Sequence, residues 1–215
     1  MHAFGYFVVI VAVLICLIGF KIRQVDTTLG RDIKIYSELA TIENHLDEFK
    51  DLIGSDFPGY RGHIYRVLTY AMHYLENDTK YLDEIAVGLV YHDIGLWTAK
   101  TLSYVDPSCN LARSKLSKEF SAESLQIIHD VIYWHHKVNT FHGAHESVVD
   151  AVRKAYWIDA TKGILNQGMP TTHILQFEST IANNGFHQTL ADFGPRLHGW
   201  DILGIVRNIS QIYRW

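Results

Sequence analysis

From Ala3 to Phe20 the chain reads AFGYFVVIVAVLICLIGF, eighteen residues without one charged side chain. A helix rises about 1.5 Å per residue, so such a run reaches about 27 Å, close to the hydrocarbon thickness of a bilayer. The β-branched stretch Val8-Val9-Ile10-Val11 suits a strand, but the run as a whole is too long for one. A cleaved secretory signal and a buried core helix are the rival readings. A signal needs a basic leading region and a small-residue cleavage site, and neither is present. The sequence therefore predicts a transmembrane anchor over residues 1–22, a juxtamembrane linker over 23–35 and one domain over 36–215. Lys21, Arg23, Arg31 and Lys34 follow the run, and only Met1 and His2 precede it. Basic residues resist translocation, which orients the domain into the cytoplasm as a single-pass membrane protein.

The rest of the composition narrows the class. With 48% apolar residues and a net charge of −4, the chain is not intrinsically disordered. Two cysteines, Cys16 and Cys109, allow one disulfide at most and agree with a reducing compartment. No basic surplus points to nucleic acid, so none is expected as a partner. The 13 histidines are the unusual feature.

Beyond the run the periodicity is helical. Ile33, Tyr36, Leu39, Ile42, Leu46, Phe49 and Ile53 recur at three- and four-residue steps opposite Glu38, Glu43, Asp47 and Lys50. Asp56-Phe57-Pro58-Gly59 reads as a turn, and a helix follows over about 60–75. Another opens near Asp83 and runs through Tyr91 until Gly95 breaks it, and residues 99–110 read as loop. Ser121 is placed to cap a helix reaching His136, and further helices fall over 146–165, 170–183 and 200–213. No period-2 strand is visible. An all-α domain of roughly seven helices is expected.

Three of these helices carry polar groups where the core should be. His92-Asp93 ends the apolar stretch Ile85 to Tyr91, and an unpaired carboxylate buried there would cost several kcal/mol. A divalent cation removes that cost by binding a carboxylate oxygen and a neutral imidazole nitrogen. Adjacent helical residues diverge by about 100°, so both reach one ion only if the helix unwinds, which Gly95 permits. His63 in GHIYRV and Asp159 in AYWIDA complete a set of two imidazoles and two carboxylates, suited to Mn²⁺, Fe²⁺, Mg²⁺ or Zn²⁺.

The order His63 … His92-Asp93 … Asp159, in the contexts YRGHIYRVLTYA, VGLVYHDIGLW and KAYWIDATKG, resembles the HD-domain superfamily of metal-dependent phosphohydrolases. The resemblance covers about residues 57–165 and implies an HD-like helical bundle. It implies that His63, His92, Asp93 and Asp159 hold one metal, with Asp93 at the centre of catalysis on a small phosphoester. Arg66, one helical turn after His63, is then the candidate for a phosphate oxygen, with Arg61 second. The chain departs from the family at Leu96, where many members carry Lys or His; Lys100 is the nearest substitute.

Some HD relatives bind a second metal through extra histidines. His129, His135 and His136 are the candidates here, His129 and His136 falling about 20° apart on one helical face. The reading favours one metal, with His129 and His136 as proton donors lining the pocket. His45, His73, His142, His145, His173, His187 and His198 have no ligand spacing and read as surface or hydrogen-bonded core residues. A di-iron oxygenase on the same scaffold and a non-catalytic, membrane-tethered binding domain are the alternative functions.

Overall fold

Apolar residues at helical spacing, punctuated by Asn, Gly and Pro, fold into helices alone. The computed structural model describes residues 33–199 and 201–212, and every regular element in them is helical. The elements are α1 (Ala40–Asp47), α2 (Lys50–Ile53), a 3₁₀ turn (Gly54–Asp56), α3 (Phe57–Tyr74), α4 (Leu82–Tyr91) and α5 (Gly95–Thr98). They continue with α6 (Val105–Leu116), α7 (Ala122–Trp134), α8 (Glu146–Ala160), α9 (Thr171–Thr180), α10 (Phe186–His198) and α11 (Ile202–Ile212).

The centre of the molecule is α3, buried on nearly all sides from Gly59 to Met72 and packed along α8. Helix α4, with Ile85 to Tyr91 all buried, lies against α7, and α7 also touches α6 and α8. Gly88 permits the α4–α7 approach, since a Cβ there would fall 2.6 Å from Val131 Cγ1. Four helices thus meet with their polar interruptions pointing at one another.

Several boundaries differ from the periodicity. Pro58 starts α3 rather than ending a turn, because proline in the first helical turn removes no needed N–H. The same applies to Pro107: α6 starts at Val105, inside the 99–110 stretch that reads as loop, with Asp106 and Pro107 in its first turn. Helix α10 was not foreseen. Ser121 caps α7 as expected, its Oγ accepting from Ser124 N at 3.1 Å. With nine helices of eight residues or more among the described residues, the bundle is larger than the seven foreseen.

No helix among the described residues is long and apolar enough to cross a membrane. The anchor expected over 1–22 and most of the linker lie outside the described residues.

Candidate metal centre

His63 sits mid-way along α3, and Asp159 is the next-to-last residue of α8. His92 and Asp93 occupy a turn between α4 and α5 where α-helical pairing is interrupted. His92 and Ile94 keep right-handed helical dihedrals, and the His92 and Asp93 side chains reach one place without a full unwinding. Tyr60 of α3 fixes this turn: its hydroxyl donates to Val90 O at 2.8 Å and accepts from Asp93 N at 3.3 Å. Gly95 lets the chain leave closely, because a Cβ there would stand 2.5 Å from Tyr104 O. His135 and His136 follow immediately on the end of α7.

Three of the histidines share one arrangement. His63 Nδ1 lies 2.6 Å from Asp159 Oδ2, His92 Nδ1 lies 2.6 Å from Leu89 O, and His135 Nδ1 lies 2.5 Å from Ile132 O. Carboxylate and carbonyl oxygens only accept, so each Nδ1 carries a proton, and a ring with that single proton presents a lone pair at Nε2. Burial lowers the His63 pKa to about 4, against the hydrogen bond and charge of Asp159. Burial likewise lowers those of His135 and His136.

The Nε2 atoms converge on Asp93. His63 Nε2 and His92 Nε2 are 2.9 Å apart, and Asp93 Oδ2 lies 3.1 Å from His92 Nε2 and 3.7 Å from His63 Nε2. Asp93 Oδ1 faces His135 Nε2 at 3.5 Å. Two groups of three donors result, His63/His92/Asp93 and Asp93/His135/His136, with Asp93 common to both. Either group could hold a metal ion.

The electrostatics point the same way. His63, His92, Asp93, His135, His136 and Asp159 are none of them more than 4% exposed. Burial pushes the Asp159 pKa up, but His63 first and then Arg66, whose Nε and Nη2 lie 2.5 and 3.1 Å from its two oxygens, hold it far below the carboxylate range. Burial pushes the Asp93 pKa up, and only positive charge on the facing side brings it down; with the His92 and His135 rings neutral, that charge has to come from a bound cation. Among the described residues Asp93 has no Arg or Lys ion pair, and neither of its carboxylate oxygens has a hydrogen-bond donor. Lone pairs and a carboxylate packed together without a positive charge repel one another. A cation among them removes both the repulsion and the cost of the buried charge.

The predicted residues separate into those brought together and those kept apart. His63, His92, Asp93 and Asp159 are contiguous, but Asp159 grips the far nitrogen of His63 and belongs to neither donor group. Arg66 is committed to Asp159 and to Ala182 O at 3.0 Å rather than open to a phosphate. Arg61 pairs with Glu43 at 2.7 Å and donates to Ser37 O. Lys100 is exposed beyond the end of α5, since the helix stops at Thr98.

His129 is the clearest correction. It is partly exposed and pairs with Asp130 at 3.1 Å, while His135 and His136 reach the centre. The helical-face argument failed because α7 ends at Trp134, before His136.

Four aromatic residues were missed. Phe186 of α10 stacks on His63 with centroids 4.1 Å apart, and Tyr104 hydrogen-bonds His136 Nε2. Tyr156 sets its ring edge-on to His135 and His136 at 4.7 and 4.6 Å, and Tyr60 lies beneath the turn. Tyr60 and Tyr156 each stand three residues before a predicted ligand, a same-face spacing visible in the sequence. Nothing local marks Tyr104 or Phe186. His187, read as unremarkable, contacts the Asp159 carbonyl at 2.7 Å.

Comparison with family models, with curated proteins and with solved structures finds no match for the chain.

Proposed function

We propose that the protein is a metal-dependent phosphohydrolase built on an HD-like helical bundle, cleaving a phosphomonoester or phosphodiester such as a nucleotide. The observation that carries the reading is the buried Asp93 carboxyl, without a hydrogen-bond donor, enclosed by the Nε2 atoms of three imidazoles. The order of His63, His92-Asp93 and Asp159 along the chain supports the phosphohydrolase class through its resemblance to HD domains. Residues 1–22 are proposed to anchor the domain at the cytoplasmic face of a membrane.

His63, His92 and Asp93 would hold a divalent ion, with His135 and His136 on the opposite side of Asp93 available for a second. Such an ion, when bound, acidifies a water and neutralises charge on phosphoryl oxygens. Asp159 holds the proton on His63 Nδ1 and so keeps Nε2 unprotonated, and Arg66 holds Asp159. Asp159 and Arg66 are therefore positioning residues. The Tyr104 hydroxyl fixes the ring of His136.

A di-iron oxygenase is the second reading, favoured by the Asp93/His135/His136 group standing beside the first. The test is full-length protein in detergent, loaded with Mn²⁺, Fe²⁺, Mg²⁺ or Zn²⁺ and assayed with p-nitrophenyl phosphate and its bis-ester. Hydrolysis lost in Asp93→Ala, with helical content retained, supports the first reading. Hydrolysis unchanged in Asp93→Ala rejects it, and oxygen uptake with two irons per chain selects the second.

A further inference from the structure

Helix α11 (Ile202–Ile212) has two apolar sides, and only one of them is used. On the inner side Ile205 lies against Gly194 of α10, Ser103 Oγ donates to Asn208 O at 3.0 Å, and Lys137 Nζ donates to Ile212 O at 3.2 Å. The outer side carries Ile202, Leu203, Val206 and Ile209, between 38 and 77% exposed. At about 100° per residue these four fall within an arc of about 120°. Only eight large apolar side chains stay exposed among the described residues, and half are on this helix. That concentration sets the face apart from the scattered apolar residues of an ordinary surface.

We propose that this outer face of α11 lies in the headgroup region of an anionic membrane. Charge is the first argument. From residue 201 onward the sequence holds Arg207 and Arg214 against the single acid Asp201, with Trp200, Tyr213 and Trp215 flanking the helix. An apolar helix that carries Arg207 and is followed and preceded in the sequence by aromatic and basic residues has the composition of segments that lie at the interface of a bilayer containing acidic lipids.

The chain outside the described residues supplies the second argument, which rests on the proposed anchor. Residues 23–32 reach at most about 35 Å when extended, whereas a domain of this length is about 40 Å across. A tether so short keeps the domain beside the lipid and turns one of its faces toward it. Of the described surface, the stripe of α11 holds half of the exposed large apolar side chains, and it is the one such proximity would favour burying in lipid.

The test uses the full chain in phosphatidylcholine–phosphatidylserine vesicles, with Cys16→Ser and a single fluorophore on Leu203→Cys, Val206→Cys or Leu175→Cys. Leu175, 60% exposed on α9, is the control. Lipids bearing a doxyl quencher should quench positions 203 and 206 several-fold more than 175. Equal quenching at all three positions overturns the proposal, as does a label at 203 shielded by a second chain without lipid quenching. Alkaline extraction reads the anchor separately. A chain released by carbonate, yet still quenched at 203 when mixed with vesicles, removes the anchor and leaves the helix contact standing.

Discussion

Asp159 approaches His63 from behind: its Oδ2 lies 2.6 Å from Nδ1, while the ring's Nε2 faces His92 and Asp93. A carboxylate in this position sets which nitrogen carries the proton and stiffens the ring, and removing such a partner typically lowers metal affinity by about 10–100-fold. Asp159→Asn should therefore weaken binding by that amount, whereas Asp93→Asn should abolish it. Competition of Zn²⁺ against a chelating dye separates the two. Equal loss in both variants would make Asp159 a ligand.

The same carboxylate balances Arg66, and the guanidinium is itself buried. Breaking a buried ion pair from one side costs about 3–5 kcal/mol because the other charge is stranded. Asp159→Asn should show a loss of that order in urea denaturation, and Arg66→Met combined with it should lose less than the sum of the single variants. Strict additivity would mean that the pair is not coupled.

Gly62 admits Arg66 to its place. A Cβ at residue 62 would stand 2.6 Å from the Ala182 carbonyl oxygen and 3.1 Å from Arg66 Nη1. The nearer contact is backbone and cannot swing away. Gly62→Ala should cost about 1–3 kcal/mol by overpacking, and a thermal midpoint equal to wild type would show that the 180–184 segment does not pack there.

Glu43 gives the stability a dependence on acid. Burial raises its pKa, but hydrogen bonds from Arg61 and Tyr65 outweigh burial and lower it below the ordinary 4.5. The unfolded chain then takes up a proton before the folded one does, so the contribution is complete above about pH 4.5 and lost as pH falls through the folded value. Urea midpoints measured down to acid pH should fall less steeply in Glu43→Gln than in wild type. Parallel curves would place the acid sensitivity elsewhere. Arg61→Met should likewise lower stability and leave metal content unchanged.

Much of this arrangement was legible in the residues because burial and charge conflict openly in the sequence. A His-Asp pair at the end of Ile85 to Tyr91 has no reason to be there without a partner, and the helix is interrupted at residues 92–94, just before Gly95. The histidines of α7 were harder to place. Helical phase carries from His129 to His136 only if the helix continues, and no Gly or Pro in the sequence marks its end at Trp134. The roles of Arg61 and Arg66 were likewise closed to inspection, because Glu43 and Asp159 meet them from other helices. Helix α6 was hidden by Pro107, which signals a loop and a helix start equally well.

The account stands most directly on whether Asp93 and its histidines hold an ion. Metal content of the full chain, loaded and then passed through a chelating column, measures this by elemental analysis. At least one divalent ion per chain is expected in wild type, and none in Asp93→Ala or His92→Ala with helical content retained. A wild-type chain that leaves the column without metal, or variants that retain it in full, would contradict the account.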